Sequence, residues 1–142
     1  MTEAQTPEAF VGYWRIVEME LWDKDYLDLV VPAFIEFDGK QMGQFQFGTV
    51  RGWLDCRFEE RGGAEVVEFS WEGENDNDPG CGRGWAGVRK DRLEGRLYIH
   101  GGDDSGFVAS RADRAAPGRR GQRSVARRPT PAFRRPPPSG RA

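Results

Sequence analysis

Cysteine, histidine and long apolar runs are scarce in this sequence of 142 residues. Only Cys56 and Cys81 are present, which argues against a disulfide framework and favours two reduced thiols in a cytoplasmic protein. The chain has one histidine, His100, and it lacks a Cys/His zinc spacing, a phosphate loop and a Gly-x-Gly-x-x-Gly motif. We therefore predict neither a metal nor a cofactor. No window approaches the roughly 18 apolar residues of a membrane span, and residues 1–7 lack the basic start and apolar stretch of a secretory signal.

The charge of the chain changes abruptly at about residue 110. Residues 1–110 carry 11 Lys or Arg against 22 Asp or Glu, whereas residues 111–142 carry ten Arg, no Lys and one Asp. The total of −2 therefore conceals a body of charge −11 and a tail of charge +9. Because an acidic body repels phosphates, we expect no specific binding of nucleic acid.

The tail, residues 111–142, has six Pro and only Val125 and Phe133 as sizeable apolar side chains. Such a segment cannot bury enough surface to offset the entropy of ordering it, so we predict disorder. Three interpretations of the tail stay open: unspecific attraction to nucleic acid or membrane, folding back onto the acidic body, or translation of a shifted reading frame. We predict one domain over residues 10–110, preceded by a flexible N-terminus over residues 1–9.

The body alternates apolar and polar side chains in the manner of β-strands. About eight strands are predicted, at residues 12–20, 33–37, 43–50, 53–60, 65–72, 83–88, 93–100 and from 106 onward. No strand–helix–strand repetition is present, which disfavours a parallel sheet. The pattern therefore predicts an all-β fold, a small antiparallel up-and-down barrel.

One short helix and several turns are predicted between the strands. One or two turns of helix would lie within the segment from Trp22 to Val31, with Asp23 and Asp25 at the positive end. Its apolar face would consist of Trp22, Tyr26, Leu29 and Val30. Asp38-Gly39 predicts a hairpin turn, Gly48 and Gly52 predict bends within strands, and residues 73–82 predict a polar loop.

Two opposite sets of side chains compete for the interior of the predicted barrel. One set is charged or polar and consists of Asp55, Arg57, Glu68 and Ser70; the other consists of Phe58, Phe69 and Trp71. We expect the aromatic set to point inward, which leaves the charged set on the surface as ion pairs worth under about 1 kcal/mol each. Arg83 could reach the charged set, although a surface position at the start of a strand is the simpler expectation.

Gly12-Tyr13-Trp14 resembles the Gly-x-Trp that opens the first strand of lipocalin-like (calycin) barrels. The resemblance implies that Trp14 lies across the floor of the barrel beneath an arginine that follows the last strand, a position that Arg111 occupies in this sequence. The body also resembles a small family of uncharacterised bacterial proteins through Trp-Arg-Ile-Val-Glu-Met-Glu-Leu-Trp and Ile-His-Gly-Gly-Asp-Asp-Ser-Gly-Phe. That resemblance covers residues 10–109 and implies no activity.

Residues 100–106, His-Gly-Gly-Asp-Asp-Ser-Gly, gather a histidine, two carboxylates and a serine. A hydrolase would need the base held against its nucleophile by tertiary structure. Glycine and aspartate favour turns, so we predict a structural turn; catalysis or ligand contact at the mouth of the barrel are the alternatives.

Glu74, Asp76 and Asp78 alternate like the start of a calcium loop. Pro79 replaces the glycine that an EF-hand requires at the sixth position, which excludes that motif. A solvated loop is the default prediction, and a weak cation site is the alternative.

Three functions are compatible with the sequence. The first in rank is a non-catalytic module that binds a small apolar or amphipathic ligand or that contacts another protein. Its predicted ligand-binding residues are Trp14, Phe47, Trp53, Phe69, Trp71, Trp85, Arg57 and His100. The second is a protein–protein interaction domain that acts as a homodimer through an exposed aromatic face. The third is an enzyme that uses His100 and carboxylates at the barrel mouth. An aromatic-lined cavity would favour ligand binding, whereas a packed interior with an external aromatic patch would favour the interaction domain.

Overall fold

Eight antiparallel strands close into a barrel, each paired with the next along the chain and the last with the first. The structure is a computed structural model that describes residues 6–113. Its elements are β1 (Gly12–Met19), α1 (Lys24–Leu27), β2 (Phe34–Phe37), β3 (Met42–Phe47), β4 (Val50–Arg61), β5 (Ala64–Asn75), β6 (Asp78–Arg89), β7 (Arg92–Ile99) and β8 (Asp104–Arg111). The predicted all-β, up-and-down barrel is confirmed.

Alternation along the strands places one set of side chains inside and the other outside, as the pleat requires. On β4, Leu54 and Cys56 are buried whereas Asp55 and Arg57 are exposed. Most of the interior side chains are large and apolar: Trp14, Ile16, Ile35, Phe37, Phe45, Phe47, Leu54, Val67, Phe69, Trp71, Leu93, Leu97, Ile99 and Phe107. The expectation that the aromatic set points inward is confirmed.

The largest rings lie against glycines on neighbouring strands. A Cβ atom added at Gly52 would stand 2.7 Å from the ring of Trp71, and one added at Gly82 would stand 2.7 Å from its Nε1. A Cβ atom at Gly84 would overlap the ring of Phe69. The interior is therefore filled by fitting large side chains of β5 into gaps on β4 and β6, which gives the dense packing of a protein core.

Trp14, which pairs with Arg111 where the first strand meets the last, is fully buried. Its Nε1 donates a hydrogen bond to the carbonyl oxygen of Phe10 (3.0 Å), and the guanidinium of Arg111 lies 4.2 Å from the centre of its ring. Arg111 also donates to the carbonyl oxygens of Val11 (2.6 Å) and Ala9 (2.7 Å). The stacking and the two hydrogen bonds join the end of the last strand to the segment that precedes the first, as the lipocalin resemblance implied for Trp14 and Arg111.

Residues that precede β1 contact the body of the barrel. Thr6 is buried, its backbone N–H donates to the carbonyl oxygen of Gly39 (3.3 Å), and its hydroxyl accepts from the N–H of Gln41 (2.8 Å). The described part of the predicted flexible N-terminus is therefore held against the β2–β3 turn, and the last strand extends to residue 111. Residues 1–5 and 114–142 lie outside the described residues, and with them most of the tail for which disorder was predicted.

The predicted short helix is confirmed as a single turn, but the predicted burial of its apolar side chains is only partly right. Asp23 caps its N-terminus by accepting from the N–H of Tyr26 (3.2 Å), but only Lys24–Leu27 is helical. Leu29 and Val30, which were expected on the buried face, are 45% and 56% exposed. Asp28 is the C-cap residue, and its backbone, with φ of −97° and ψ of 21°, leaves the helical conformation.

Asp28 binds groups from three directions. It accepts from the backbone N–H of Ala33 (2.9 Å) and forms ion pairs with Arg15 and Lys24, each at 3.0 Å. The hydrogen bond to Ala33 and the ion pair with Arg15 connect the end of the helix to the segment before β2 and to β1, and the apolar spacing of the sequence gives no sign of these contacts.

Two of the predicted connections are also wrong. Gly48 does not bend a continuous strand but lies in a tight turn between β3 and β4, where Phe47 pairs with Val50. The predicted polar loop at residues 73–82 is instead the extended end of a hairpin, closed by the two-residue turn Asp76-Asn77 with positive φ at both residues. Aspartate and asparagine tolerate that conformation, which explains how so polar a segment pairs as a strand.

Tyr26 connects the helix to two turns between strands, the β3–β4 turn and the β5–β6 turn. Its hydroxyl accepts from the backbone N–H of Thr49 (3.0 Å) and hydrogen-bonds the Thr49 hydroxyl, which donates to Asn75 (2.6 Å). Its ring covers Gly48, where an added Cβ atom would overlap ring atoms. Burial of Tyr26 raises the pKa of its hydroxyl, so the network retains its proton at neutral pH.

A comparison of two glycines tests the contact beneath Tyr26. Gly48 and Gly62 both have φ of +59°, but an added Cβ atom meets nothing within 4 Å at Gly62. We expect Gly62→Ala to lower the free energy of unfolding by about 1 kcal/mol through backbone strain alone, and Gly48→Ala by about 3 kcal/mol because the ring must also move. Urea denaturation measures both, and equal losses would contradict the packing described.

The closure by Arg111 can be tested against a second arginine that stacks on a tryptophan. Arg111→Ala should lower the free energy of unfolding by about 2–3 kcal/mol, because two charge-assisted hydrogen bonds and a contact with a buried ring are lost. Arg51→Ala, which removes a contact over the exposed Trp53 at 5.4 Å, should cost under about 1 kcal/mol. Similar values for the two variants in urea denaturation would refute the assigned closure.

Candidate binding face

Cross-strand pairing aligns outward side chains of β4, β5, β6 and β7 in rows. One row is Asp55, Ser70, Arg83 and Tyr98, and the adjacent row is Arg57, Glu68, Trp85 and Arg96. Members of a row lie directly opposite each other on neighbouring strands, about 5 Å apart. We call these two rows together the four-strand face.

A cleft of about 390 Å³ lies on the four-strand face. Its lining consists of Asp55, Arg57, Glu68, Phe69, Ser70, Arg83, Gly84, Trp85 and Tyr98. Ser70 and Gly84 are the smallest of these residues, so the longer side chains around them leave a depression. The cleft is therefore on the outside of the barrel, and it is broadly open to solvent.

Charged groups on this face are paired with neighbours in the same chain, with one exception among the described residues. Arg57 binds Asp55 (2.8 Å), and Arg61 binds Glu68. Arg83 is exposed and forms no hydrogen bond or ion pair with any residue in the range 6–113. Exposed ion pairs are weak, so these groups can exchange their present partners for those of a bound molecule.

Arg96, at the edge of the face, is held by residues that lie outside the four strands. It binds Glu20 and Asp104, each at 3.0 Å, and the hydrogen bond that it donates to Asp104, together with the charge of Glu20, raises its pKa. Its position is therefore fixed by two carboxylates from outside the four strands, and the guanidinium remains charged at any physiological pH.

Aromatic side chains on this face are unusually accessible for their size. Trp85 is 41% exposed and Tyr98 is 37% exposed. They lie on adjacent strands, in adjacent rows, so their rings are diagonal neighbours. Trp, Tyr and Arg are the residue types that most often dominate the energy of binding between proteins, and this face carries all three.

The structure separates the ligand-binding residues predicted from the sequence into two groups. Trp14, Phe47, Phe69 and Trp71 are buried in the interior, whereas the exposed positions are those of Arg57, Trp53, Trp85 and His100. Only Arg57, Phe69 and Trp85 of this set line one cleft. Sequence reasoning assigned no role to Tyr98 or Arg96, although the alternation of β7, opposite Leu97 and Ile99, places both on the outside.

The segment that begins at His100 is a turn, as predicted. The N–H of His100 donates to the carbonyl oxygen of Cys81 (2.7 Å), and that of Gly102 donates to Ile99 (2.8 Å). The hydroxyl of Ser105 is fully buried; it donates to the carbonyl oxygen of Gly106 (2.9 Å) and accepts from the N–H of Leu21. This serine is part of the structure between β1 and β8 and is not positioned as a nucleophile.

The acidic turn between β5 and β6 does not assemble a metal centre. Glu74 binds Arg51 (3.1 Å), and residues 6–113 contain no cluster of three His, Cys, Asp or Glu side chains that could hold a metal ion. Within the same range, none of the helical structure is long and apolar enough to cross a membrane.

No family model, curated protein or solved structure significantly matches this chain. The residues and geometry of the barrel itself therefore carry the functional argument.

The two cysteines differ in their access to solvent. Cys56 is buried inside the barrel, and burial, with smaller contributions from Asp55 and Asp38, raises the pKa of its thiol to about 12. Cys81 is exposed on β6. Neither is in a disulfide, and only the exposed thiol can meet a reagent in the folded protein.

Thiol labelling with a disulfide reagent at neutral pH tests this difference. We expect one thiol per chain to react rapidly in the folded protein and two to react after denaturation. Cys81→Ser should remove the rapid phase, whereas Cys56→Ser should leave it intact. Rapid labelling in Cys81→Ser would mean that the interior opens far more readily than its packing indicates.

Proposed function

We propose that this barrel is a non-catalytic interaction module that binds another protein through its four-strand face. The observation that carries the proposal is the combination of an occupied interior with exposed Trp85 and Tyr98 around an external cleft. Such an arrangement favours contact from outside over capture of a ligand within the barrel.

Burial of the exposed parts of the two rings can supply a useful share of a binding energy. Together they expose roughly 200 Å² of surface, whose removal from water is worth ~5 kcal/mol before the costs of association. Arg57 and Arg83 flank the rings and offer hydrogen bonds of fixed direction. Because a rigid sheet holds all four groups in place, little backbone order has to be gained on binding.

A second candidate function is the binding of a small amphipathic ligand in the same cleft. Its volume of about 390 Å³ falls in the range of small-molecule sites, roughly 300–1,000 Å³, which supports this alternative. The wide opening favours the protein partner, because a small ligand would remain partly in water. Catalysis by His100 and carboxylates, the third hypothesis from the sequence, has less support because Ser105 and Asp104 are engaged in structural contacts.

We also propose that the chain is related to lipocalin-like barrels. The stacking of Arg111 on Trp14 near the start of β1 supports this relation, as does the connection of eight strands in chain order. The filled interior departs from the hollow form that binds ligands inside. The free thiols of Cys56 and Cys81 are consistent with the cytoplasmic location expected from the sequence.

Native mass spectrometry of the full chain, purified gently from the cells that produce it, tests the proposed face. We expect a bound protein mass with the wild-type chain and its loss in the double variant Trp85→Ala/Tyr98→Ala. The matched control is Leu29→Ala/Val30→Ala, which removes two other exposed apolar side chains and should leave the bound mass unchanged. Circular dichroism verifies that both double variants fold.

Two results would count against the face as the binding surface. A wild-type chain that carries only its own mass would contradict the function as an interaction module. A protein mass that survives in Trp85→Ala/Tyr98→Ala would assign binding to another surface. A bound mass of a few hundred daltons, lost in the same variant, would instead select the small-ligand alternative.

A further inference from the structure

The four-strand face is nearly balanced in charge, although it belongs to a strongly acidic body. Its two rows contain Arg57, Arg83 and Arg96 against Asp55 and Glu68, while residues 1–110 carry a net charge of −11. A strongly acidic or strongly basic partner would oppose like charges somewhere on this face. A partner that carries the same mixture in the reverse order would not.

The order of charges along the two rows is what makes a second copy suitable. A two-fold axis that lies in the plane of the contact, across the strands and between the two rows, brings each row opposite the other row of the partner. On β4, Asp55 then faces the partner's Arg57. On β5, Ser70 faces the partner's Glu68, whose carboxylate can accept from the serine hydroxyl.

The same operation matches the other two strands. On β6, Arg83 faces the partner's Trp85, so the guanidinium without a partner in residues 6–113 gains an aromatic face. On β7, Tyr98 faces the partner's Arg96, which two carboxylates already hold in position. Each of these contacts occurs twice, and none opposes like charges.

An axis parallel to the strands would be much less favourable. If it followed β5, Glu68 would face the partner's Glu68, which places like charges at the centre of the contact. The eight strands of the described range form a closed barrel, so they offer no unpaired edge for association. Contact between faces, with the axis across the strands, is the arrangement that the charges permit.

We propose that a second copy of this chain binds the four-strand face, and that the two copies are related by a two-fold axis between its rows. This inference rests on the proposed function and specifies its partner. In such a dimer, the Trp85 and Arg83 side chains of the two copies together cover both clefts.

Sedimentation velocity of the full chain over a range of concentrations tests the dimer. The wild type should approach twice its monomer mass, and Asp55→Arg or Arg57→Glu should each weaken association by about tenfold or more, because two contacts per dimer become repulsive. Both side chains are exposed, at 55% and 72%, so folding should be preserved. Arg51→Glu, a charge reversal outside the two rows, is the matched control and should dimerise normally.

Mixing the two weakened variants gives the decisive result. Asp55→Arg and Arg57→Glu chains, each monomeric alone, should form a heterodimer in an equimolar mixture, because the two substituted side chains then face each other with opposite charges. The unsubstituted Arg57 of the first chain likewise faces the unsubstituted Asp55 of the second. A charge effect confined to one chain would be unchanged by mixing. Recovery of the wild-type mass in the mixture therefore supports the two-fold arrangement, and its absence refutes it.

The two experiments distinguish failure of the dimer from failure of the proposed function. A wild-type chain that sediments as a monomer at every concentration would overturn the second copy as the partner. If the wild-type chain instead carries a different protein in native mass spectrometry, and Trp85→Ala/Tyr98→Ala loses it, the interaction function survives with another partner. If dimers form but persist in the Trp85→Ala/Tyr98→Ala variant, the copies associate through another surface. The second copy is then ruled out as the partner of this face, and native mass spectrometry alone decides whether the face binds a different protein.

Discussion

Inside the barrel, the rings of Phe69 and Trp71 occupy space left by glycines on the adjacent strands, and this packing limits what the fold can bind. A barrel of eight strands has an interior just wide enough for its own side chains or for one small ligand. Here Gly52, Gly82 and Gly84 leave gaps, but the gaps are taken by rings. An alanine at any of them would force rings or backbone to shift, so the interior has little freedom to open.

The proposed function therefore lies on the outer surface, where the net charge of the body influences every association. The acidic body disfavours association with most acidic proteins and with nucleic acid. The four-strand face relieves that repulsion locally, because three arginines lie among two carboxylates and two exposed rings. Contact through this face is thus less repulsive than the net charge of the body alone would indicate. The charges of the face set the orientation of a partner more than its affinity.

Much of the fold could be predicted from the sequence because alternation has a period of two. Once Phe69 and Trp71 are assigned to the interior, Glu68 and Ser70 must be outside, and this followed without coordinates. The short helix was predicted, but Leu29 and Val30 were wrongly placed on its buried face, because apolar spacing says nothing of the contacts that Asp28 makes beyond the helix. Contacts between distant residues, here between Asp28 and Arg15, were the missing information.

The four-strand face was harder to predict from the sequence than the fold, because it depends on the register between strands and not on alternation alone. The register of β5 with β6 is set by Asp76-Asn77, and that of β6 with β7 by Lys90-Asp91, with positive φ at all four residues. For Lys90 that conformation is unfavourable, so the surrounding pairs must impose it. A slip of one residue would turn Trp85 inward and Gly84 outward. Gly62-Gly63, also with positive φ, closes β4 onto β5 in the same way. The three turns together align the two rows, and the proposed contact with a second copy requires all three to keep their length.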